Sequence, residues 1–350
     1  MTAADTPTAE TVPVRDAHRF DQTKLQAWLT GQLEGLGSTL EVLQMRGGQS
    51  NPTFLLHSGD REWVLRKQPP GELLPSAHAV DREFRIQKAL ADTGVPVAKM
   101  YLFCDDRDVI GTPFYVMERM RGRVFENLTL PDLSKEERWA AFDSMNETLA
   151  KLHLVDWKAL GLEDFGKPGS YFSRQIGRWS RQWEASKQRE IPSMDALMEW
   201  LPKNIPDGDE STLVHGDFRL GNLMYAPDKP KVVAVFDWEL STLGHPLADL
   251  GYNCMPFHTT PEEFGGLKGL DLAALGLPDE KAYIAAYCER TGRTPFDPTF
   301  YIVFSMFRMA AILEGVYARG VSGIASNSTA TTVGAMSKPF AERAWALAQG

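Results

Sequence analysis

The residues in this sequence best equipped for chemistry lie in His215-Gly216-Asp217-Phe218-Arg219-Leu220-Gly221-Asn222 and, past an intervening hairpin, in Phe236-Asp237-Trp238-Glu239. An Asp-x-x-x-x-Asn spacing followed by a second aspartate supplies one proton acceptor and two hard oxygen donors. Phosphoryl transfer to a hydroxyl needs that set. A carboxylate takes the hydroxyl proton, and oxygen ligands hold magnesium against nucleotide phosphates, with phosphates and water completing the octahedron. On this chemistry Asp217 is the candidate base, and Asn222 and Asp237 are the candidate metal ligands. The structural alternative, a plain turn at His-Gly-Asp with Asp237 as a strand-end cap, suits either motif alone better than the ordered pair.

These residues need a scaffold. Short apolar runs bounded by turn residues predict strands at Leu40 to Met45, Thr53 to His57, Glu62 to Arg66 and Phe114 to Glu118. One helix is expected among them, at Val80 to Asp92, closed by Thr93-Gly94-Val95-Pro96. Beyond Gly122 the pattern turns helical. Ser134 with Glu137 forms a capping box, and Trp139, Phe142, Leu149 and Leu152 recur at helical spacing toward His153. Further helices are expected at Asp279 to Thr291, Pro298 to Arg319 and Ser337 to Gln349. Three short strand-like pieces, Thr212 to His215, Asn222 to Tyr225 and Val232 to Phe236, carry the polar residues named above. The expected organisation is a loose tail over residues 1–20, a strand-rich lobe over 21–120 and a mainly helical lobe over 121–350 that carries the candidate chemistry.

Composition narrows the class. At 350 residues and 43% hydrophobic content the chain can bury two cores, and a net charge of -9 argues against a nucleic-acid partner. The richest apolar stretch, Phe304 to Tyr317, is interrupted by Arg308 and Glu314, so no membrane span is expected. Met1-Thr2-Ala3-Ala4-Asp5 lacks the basic start and apolar run of a signal peptide, which leads us to expect a cytoplasmic protein. Cys104, Cys254 and Cys288 form no Cys-x-x-Cys pair and fit buried reduced thiols.

The two motifs, together with Gly244-His245-Pro246-Leu247-Ala248-Asp249-Leu250, resemble the aminoglycoside phosphotransferase and choline kinase superfamily from about Gly47 to about Arg319. The resemblance implies a bilobal, protein-kinase-like α+β fold: a small antiparallel N-lobe sheet with one main helix, a larger mainly helical C-lobe, and ATP with Mg2+ in the cleft. It also implies supporting roles for His215 and for Asp249, which a bare reading would equally make a helix N-cap. In Arg46-Gly47-Gly48-Gln49-Ser50-Asn51, amides around Gly47, Gly48 and Ser50 would close over phosphates; an ordinary Gly-Gly hairpin turn is the alternative. No Gly-x-x-x-x-Gly-Lys-Ser/Thr occurs, which disfavours a Walker-type site. Strand alternation lets only one of Arg66 and Lys67 face the nucleotide, and the resemblance favours Arg66, with Glu83 as its helix partner. Phe114 to Met120 occupies the place of the hinge, with Glu118 and Met120 near the adenine.

A closer resemblance lies in Val64-Leu65-Arg66-Lys67-Gln68-Pro69-Pro70-Gly71, in Leu74 to His78 leading into Asp81-Arg82-Glu83-Phe84-Arg85, and in Tyr171 to Ile176. These stretches are similar to the kinase-like domain fused to acyl-CoA dehydrogenase family members ten and eleven, and to its stand-alone bacterial relatives. That group implies a hydroxyacyl-CoA acceptor and functional pairing with an acyl-CoA dehydrogenase. Arg174, Arg178 and Arg181 recur on one face of a predicted helix, where a basic stripe would suit CoA phosphates. A solvated face paired with Glu184 and Glu190 is the plainer alternative. Trp179 and Trp183 are expected to serve packing. A kinase for an aminoglycoside or another small alcohol, and a catalytically silent nucleotide-binding pseudokinase, are the competing functions.

Overall fold

A computed structural model of the chain describes residues 11–46, 51–71, 78–323 and 329–350. Gly47, Gly48 and Ser50, and with them the expected phosphate-covering loop, lie outside the described residues. The chain divides into two units, residues 1–122 with 234–239, and residues 123–233 with 240–350.

The first unit is built on an antiparallel sheet of β1 (Thr11–Val12), β2 (Glu41–Met45), β3 (Thr53–Ser58), β4 (Arg61–Lys67), β5 (Met100–Cys104) and β6 (Phe114–Glu118), in the order β1-β2-β3-β4-β6-β5. The register of β3 on β4 runs from Thr53 opposite Arg66 to Ser58 opposite Arg61, closed by Gly59-Asp60 with Gly59 at φ 59°. Glycine meets that positive φ without steric cost. One sheet face buries Val42, Phe54, Leu56, Trp63, Leu65, Phe114 and Val116 against Leu25 and Leu29 of α1 (Gln22–Leu29) and against Val109 and Ile110 of α3 (Arg107–Ile110). The other face buries Val64, Tyr115 and Met117 with Val80, the first residue of α2 (Val80–Leu90). Each such side chain contributes roughly 1.5–3 kcal/mol.

The first unit departs from the expectation in three places. Residues 11–20 are not a loose tail, since Thr11 and Val12 pair with Met45 and Gln44 and Phe20 packs edge-on against Phe54. Strand β5 and helices α1 and α3 were not expected: β5 is a continuous five-residue apolar run without alternation, and α1 and α3, at eight and four residues, are too short to impose a period. Residues 234–239 join this unit from far along the chain, held in part by the Val235 amide donating to Pro96 O at 2.9 Å.

A small sheet is made of β7 (Arg123–Val124), β9 (Leu223–Tyr225) and β10 (Val232–Val235), the last of which runs from the second unit into residues 234–239 of the first, and in the second unit β8 (Thr212–Val214) pairs with β11 (Thr242–Gly244). The helices are α4 (Lys135–His153), α5 (Tyr171–Ser186), α6 (Pro192–Lys203), α7 (Pro246–Cys254), α8 (Leu272–Leu275), α9 (Glu280–Thr291), α10 (Thr299–Val321), α11 (Ala330–Gly334) and α12 (Ser337–Gln349). The expected capping box opens α4: the Glu137 amide donates to Ser134 Oγ at 3.2 Å, and the Ser134 amide to Glu137 Oε2 at 2.9 Å. Phe142, Leu149 and Leu152 are buried as expected, whereas Trp139 is 50% exposed. It falls off the apolar stripe of α4.

Helix α10 is long and apolar enough to cross a membrane, yet 78% of its apolar window is buried inside the protein, as in a core helix. The two charges that interrupt it are both partnered. Glu314 is fully buried and accepts from Arg189 Nη2 at 3.1 Å and Ser337 Oγ at 2.6 Å. Arg308 Nη2 donates to Gly216 O at 2.6 Å. The three cysteines are free and buried.

Candidate active site

The polar centre of the first unit forms around Glu83, whose carboxylate in α2 is 2% exposed. It pairs with Arg66 Nε of β4 at 2.8 Å and accepts from Asn51 Nδ2 at 2.7 Å and Tyr115 Oη at 2.8 Å. Arg66 Nη2 also lies 3.2 Å from Asp237 Oδ1, so one guanidinium holds a helix carboxylate and the candidate metal ligand together. Burial alone would push Arg66 down, but Glu83, Tyr115 and Asp237 reverse that and hold it above its ordinary value. Burial and the same Glu83 charge push the Tyr115 phenol well up, so it stays a donor. Asp237 itself stands at φ 62°, a left-handed conformation that aspartate tolerates better than most residues.

Alternation on β4 sends Lys67 the other way. Its Nζ lies 5.9 Å from the Phe20 ring centroid, and burial lowers its pKa. Of the two cations, Arg66 is the one that meets Glu83 and Asp237. At the expected hinge the Glu118 amide donates to Lys99 O at 2.8 Å, and Met120 packs against the cluster of Val64, Ala98, Tyr115 and Met117.

In the second unit the segment between β8 and β9 carries Asp217. Tyr252 Oη of α7 donates to Asp217 Oδ1 at 2.6 Å, and Asn222 Nδ2 donates to Asp217 Oδ2 and to Asp217 O, each at 2.9 Å. With its amide nitrogen so committed, Asn222 has its carbonyl oxygen left as a hard donor, which is the chemistry a magnesium ligand needs. Arg219 Nε lies 3.5 Å from Asp217 Oδ2. Burial first, then the adjacent Asp217 carboxylate, drive the Tyr252 phenol far above its ordinary pKa.

Behind this segment, Asp249 Oδ2 accepts the His215 amide at 2.6 Å and Asp249 Oδ1 the Gly216 amide at 2.9 Å. Asp249 lies inside α7 and does not cap it; the cap is His245, whose Nδ1 accepts from the Leu247 amide at 3.2 Å. Burial would raise the Asp249 carboxyl, but His153 and the His215 amide outweigh it and hold it low. His153 is fixed in turn by Tyr287 Oη at 2.7 Å from its Nδ1. His215 is fully buried, and its Nδ1 receives the Asp217 amide at 3.2 Å. Gly216 sits at φ 82°, and a Cβ there would come within 2.8 Å of Leu240 O, so no other residue fits that turn.

Sequence reasoning missed Tyr252, Arg219, Arg308, Asn51 and Tyr115. Arg308 was visible only as an interruption in an apolar helix, which is itself a signal, because a buried charge requires a partner. The three arginines of α5 are placed as follows. Arg174 Nη2 donates to Lys167 O at 2.5 Å, Arg178 and Arg181 are exposed, and the Arg178 guanidinium lies 5.2 Å from the Trp179 ring. Glu190 pairs instead with Lys187, at 3.3 Å. Trp183 is fully buried, and the Trp179 ring lies 5.5 Å from the Arg308 guanidinium.

Residues 41–291 match the model of the phosphotransferase enzyme family. Mouse acyl-CoA dehydrogenase family member 10 is 46% identical over 97% of this chain and 32% of its own length. Human family member 11 is 44% identical over 95% of this chain and 43% of its own length. The chain thus spans less than half of these relatives. A crystal structure from Ralstonia eutropha, of a protein named as a candidate aminoglycoside phosphotransferase, superimposes with a TM-score of 0.88. It is 49% identical over 95% of this chain and 99% of that one. The aminoglycoside phosphotransferase APH(4)-Ia, in ternary complex with AMP-PNP and hygromycin B, shares the fold with a TM-score of 0.59 at 15% identity, over 92% of this chain and 98% of that one. The fold is therefore the kinase-like α+β fold of the aminoglycoside phosphotransferases, and the chain belongs to the phosphotransferase enzyme family.

Proposed function

We propose that this protein moves the terminal phosphoryl group of ATP to a hydroxyl of a small molecule, with Asp217 as the base that takes the hydroxyl proton. The observation that carries the reading is the treatment of Asp217: two donors hold its carboxylate while a buried aspartate fixes the backbone before it. A catalytically silent nucleotide binder has no physical need of that arrangement. In this proposal Arg66, oriented by Glu83, meets nucleotide phosphates, Glu118 and Met120 flank the adenine, and Gly47, Gly48 and Ser50 supply amides to the phosphates. Asn222 and Asp237 offer carbonyl and carboxylate oxygen, which suits Mg2+, and the ion when bound neutralises charge on the phosphates. A structural neighbour solved with AMP-PNP supports the choice of nucleotide.

The acceptor we favour is a hydroxyacyl-CoA. Its support is the relatives named acyl-CoA dehydrogenase family members and the arginines of α5. Arg178 leads through Trp179 to Arg308, whose guanidinium lies 5.6 Å from the Tyr252 ring, and Tyr252 holds Asp217. A CoA phosphate paired with Arg178 would lie at the outer end of that path. We further propose a cytoplasmic location and functional pairing with an acyl-CoA dehydrogenase. An aminoglycoside acceptor is the second reading, favoured by the names of the structural neighbours.

The test is magnesium-dependent ADP release with 4-hydroxyacyl-CoA, free hydroxy acids and aminoglycosides in parallel. Turnover confined to the CoA thioester is expected. Turnover confined to an aminoglycoside would replace the acceptor, and nucleotide binding without turnover on any alcohol would leave the silent binder standing.

A further inference from the structure

A cavity of about 450 Å³ opens in the second unit against the segment that carries Asp217. Arg219, Leu220, Gly221, Tyr252 and Asn253 form its wall on that side. The remainder is dominated by Phe142, Met145, Met255, Phe257, Met309 and Phe340. Its one acidic lining residue, Glu126, lies 3.7 Å from Arg219, so it offers no free carboxylate cluster to a polycation. Phe264 stands at the cavity 52% exposed and edge-on to Phe340, an apolar side chain left facing solvent at the pocket.

We infer that this cavity receives the hydrocarbon chain of the acceptor alcohol. The inference rests on the phosphotransferase reading for the identity of the acceptor and deepens it by assigning the apolar part of the substrate. Three observations carry it. The volume lies in the range of small-molecule sites, which are mostly apolar with a few placed polar groups. Two of its polar lining residues, Arg219 and Tyr252, meet the Asp217 carboxylate. Tyr252 belongs to the cavity and hydrogen-bonds to Asp217 at 2.6 Å, so a chain seated among the methionines and phenylalanines brings a hydroxyl to the base.

The experiment separates binding from turnover. Calorimetric binding of 1-hexanol, 1-octanol and 1-decanol, which carry no head group, is expected to tighten about fourfold per added methylene. 1-Octanol is expected to inhibit acceptor turnover competitively. Met309→Trp fills the cavity and is expected to flatten the chain-length dependence while nucleotide binding reports an intact fold. Phe264→Asp, at an exposed position, is expected to weaken 1-decanol more than 1-hexanol. Affinity that does not change along the series, a dependence untouched by both substitutions, or alkanol binding that leaves acceptor turnover unaffected would each overturn the inference. Absence of phosphorylation with every acceptor would reject the phosphotransferase reading and leave the alkanol binding as a separate result.

Discussion

Asp217 has a donor on each carboxylate oxygen, and the two donors come from different elements. Asn222 lies in the same segment, whereas Tyr252 is brought by α7. A hydrogen bond to a charged group contributes about 1.5–3 kcal/mol, so Tyr252→Phe is expected to lower kcat roughly 10- to 100-fold, measured by ADP release at saturating acceptor. Nucleotide KM should hardly move. Arg66 offers a complementary test in the first unit, since its Nε meets Glu83 while its Nη2 reaches both Glu83 and Asp237. An ammonium lacks that planar fork. Arg66→Lys is therefore expected to raise nucleotide KM about tenfold or more, whereas Lys67→Met, on the opposite face beside Phe20, should change stability and leave nucleotide KM within about twofold. Equal effects of the two substitutions on KM would remove Arg66 from the proposed phosphate site.

At the scale of the element, α7 shows how one short helix serves the site at three points. His245 caps it, Asp249 holds the amides of His215 and Gly216, and Tyr252 holds Asp217. His245 is buried against Phe172 and Tyr301, and burial lowers its pKa to about 4, with Glu210 opposing and Arg293 assisting. A histidine with a depressed folded pKa favours the neutral form. Its contribution is full above the unfolded value of 6.5 and is lost as pH falls from there toward 4. The loss amounts to about 3 kcal/mol at most, and it is accompanied by loss of the Leu247 amide's acceptor. Denaturant melts of His245→Asn, which caps without titrating, are expected to show a shallower stability loss over that interval than the parent chain. Identical profiles would contradict the assignment.

This helix also marks the boundary of what the sequence discloses. Asp217, Asn222 and Asp237 stood out as candidates because the chemistry proposed for them is written in local spacing, and the fold class was legible through the motifs that resemble a known family. The strands β2, β3, β4 and β6 were legible from their short apolar runs. Tyr252, Arg308 and Tyr115 were not, because each acquires its role from a partner far away in the chain: Asp217, Gly216 and Glu83 respectively. The same distance hid residues 234–239, which fold with the first unit although they follow the second unit's β9 in sequence.

At the scale of the molecule, each of the two units holds its own group of polar residues. The first contributes Arg66, Glu83 and Asp237, and the second contributes Asp217, Asn222 and the apolar cavity. The chain corresponds to about a third of mouse family member 10 and 43% of human family member 11, so the same unit pair recurs within longer proteins. Asp249→Ala tests how strongly the second unit depends on its buried carboxylate. It leaves two amides of the segment that carries Asp217 without their acceptor and is expected to destabilise the protein by about 3 kcal/mol, read as a lowered denaturant midpoint. The central claim is phosphoryl transfer with Asp217 as base, and the most direct measurement is magnesium-dependent ADP release by the parent chain and by Asp217→Asn on the same acceptor. The account predicts a loss of roughly 100- to 10,000-fold in kcat with nucleotide binding retained; turnover by Asp217→Asn within a few-fold of the parent would contradict it.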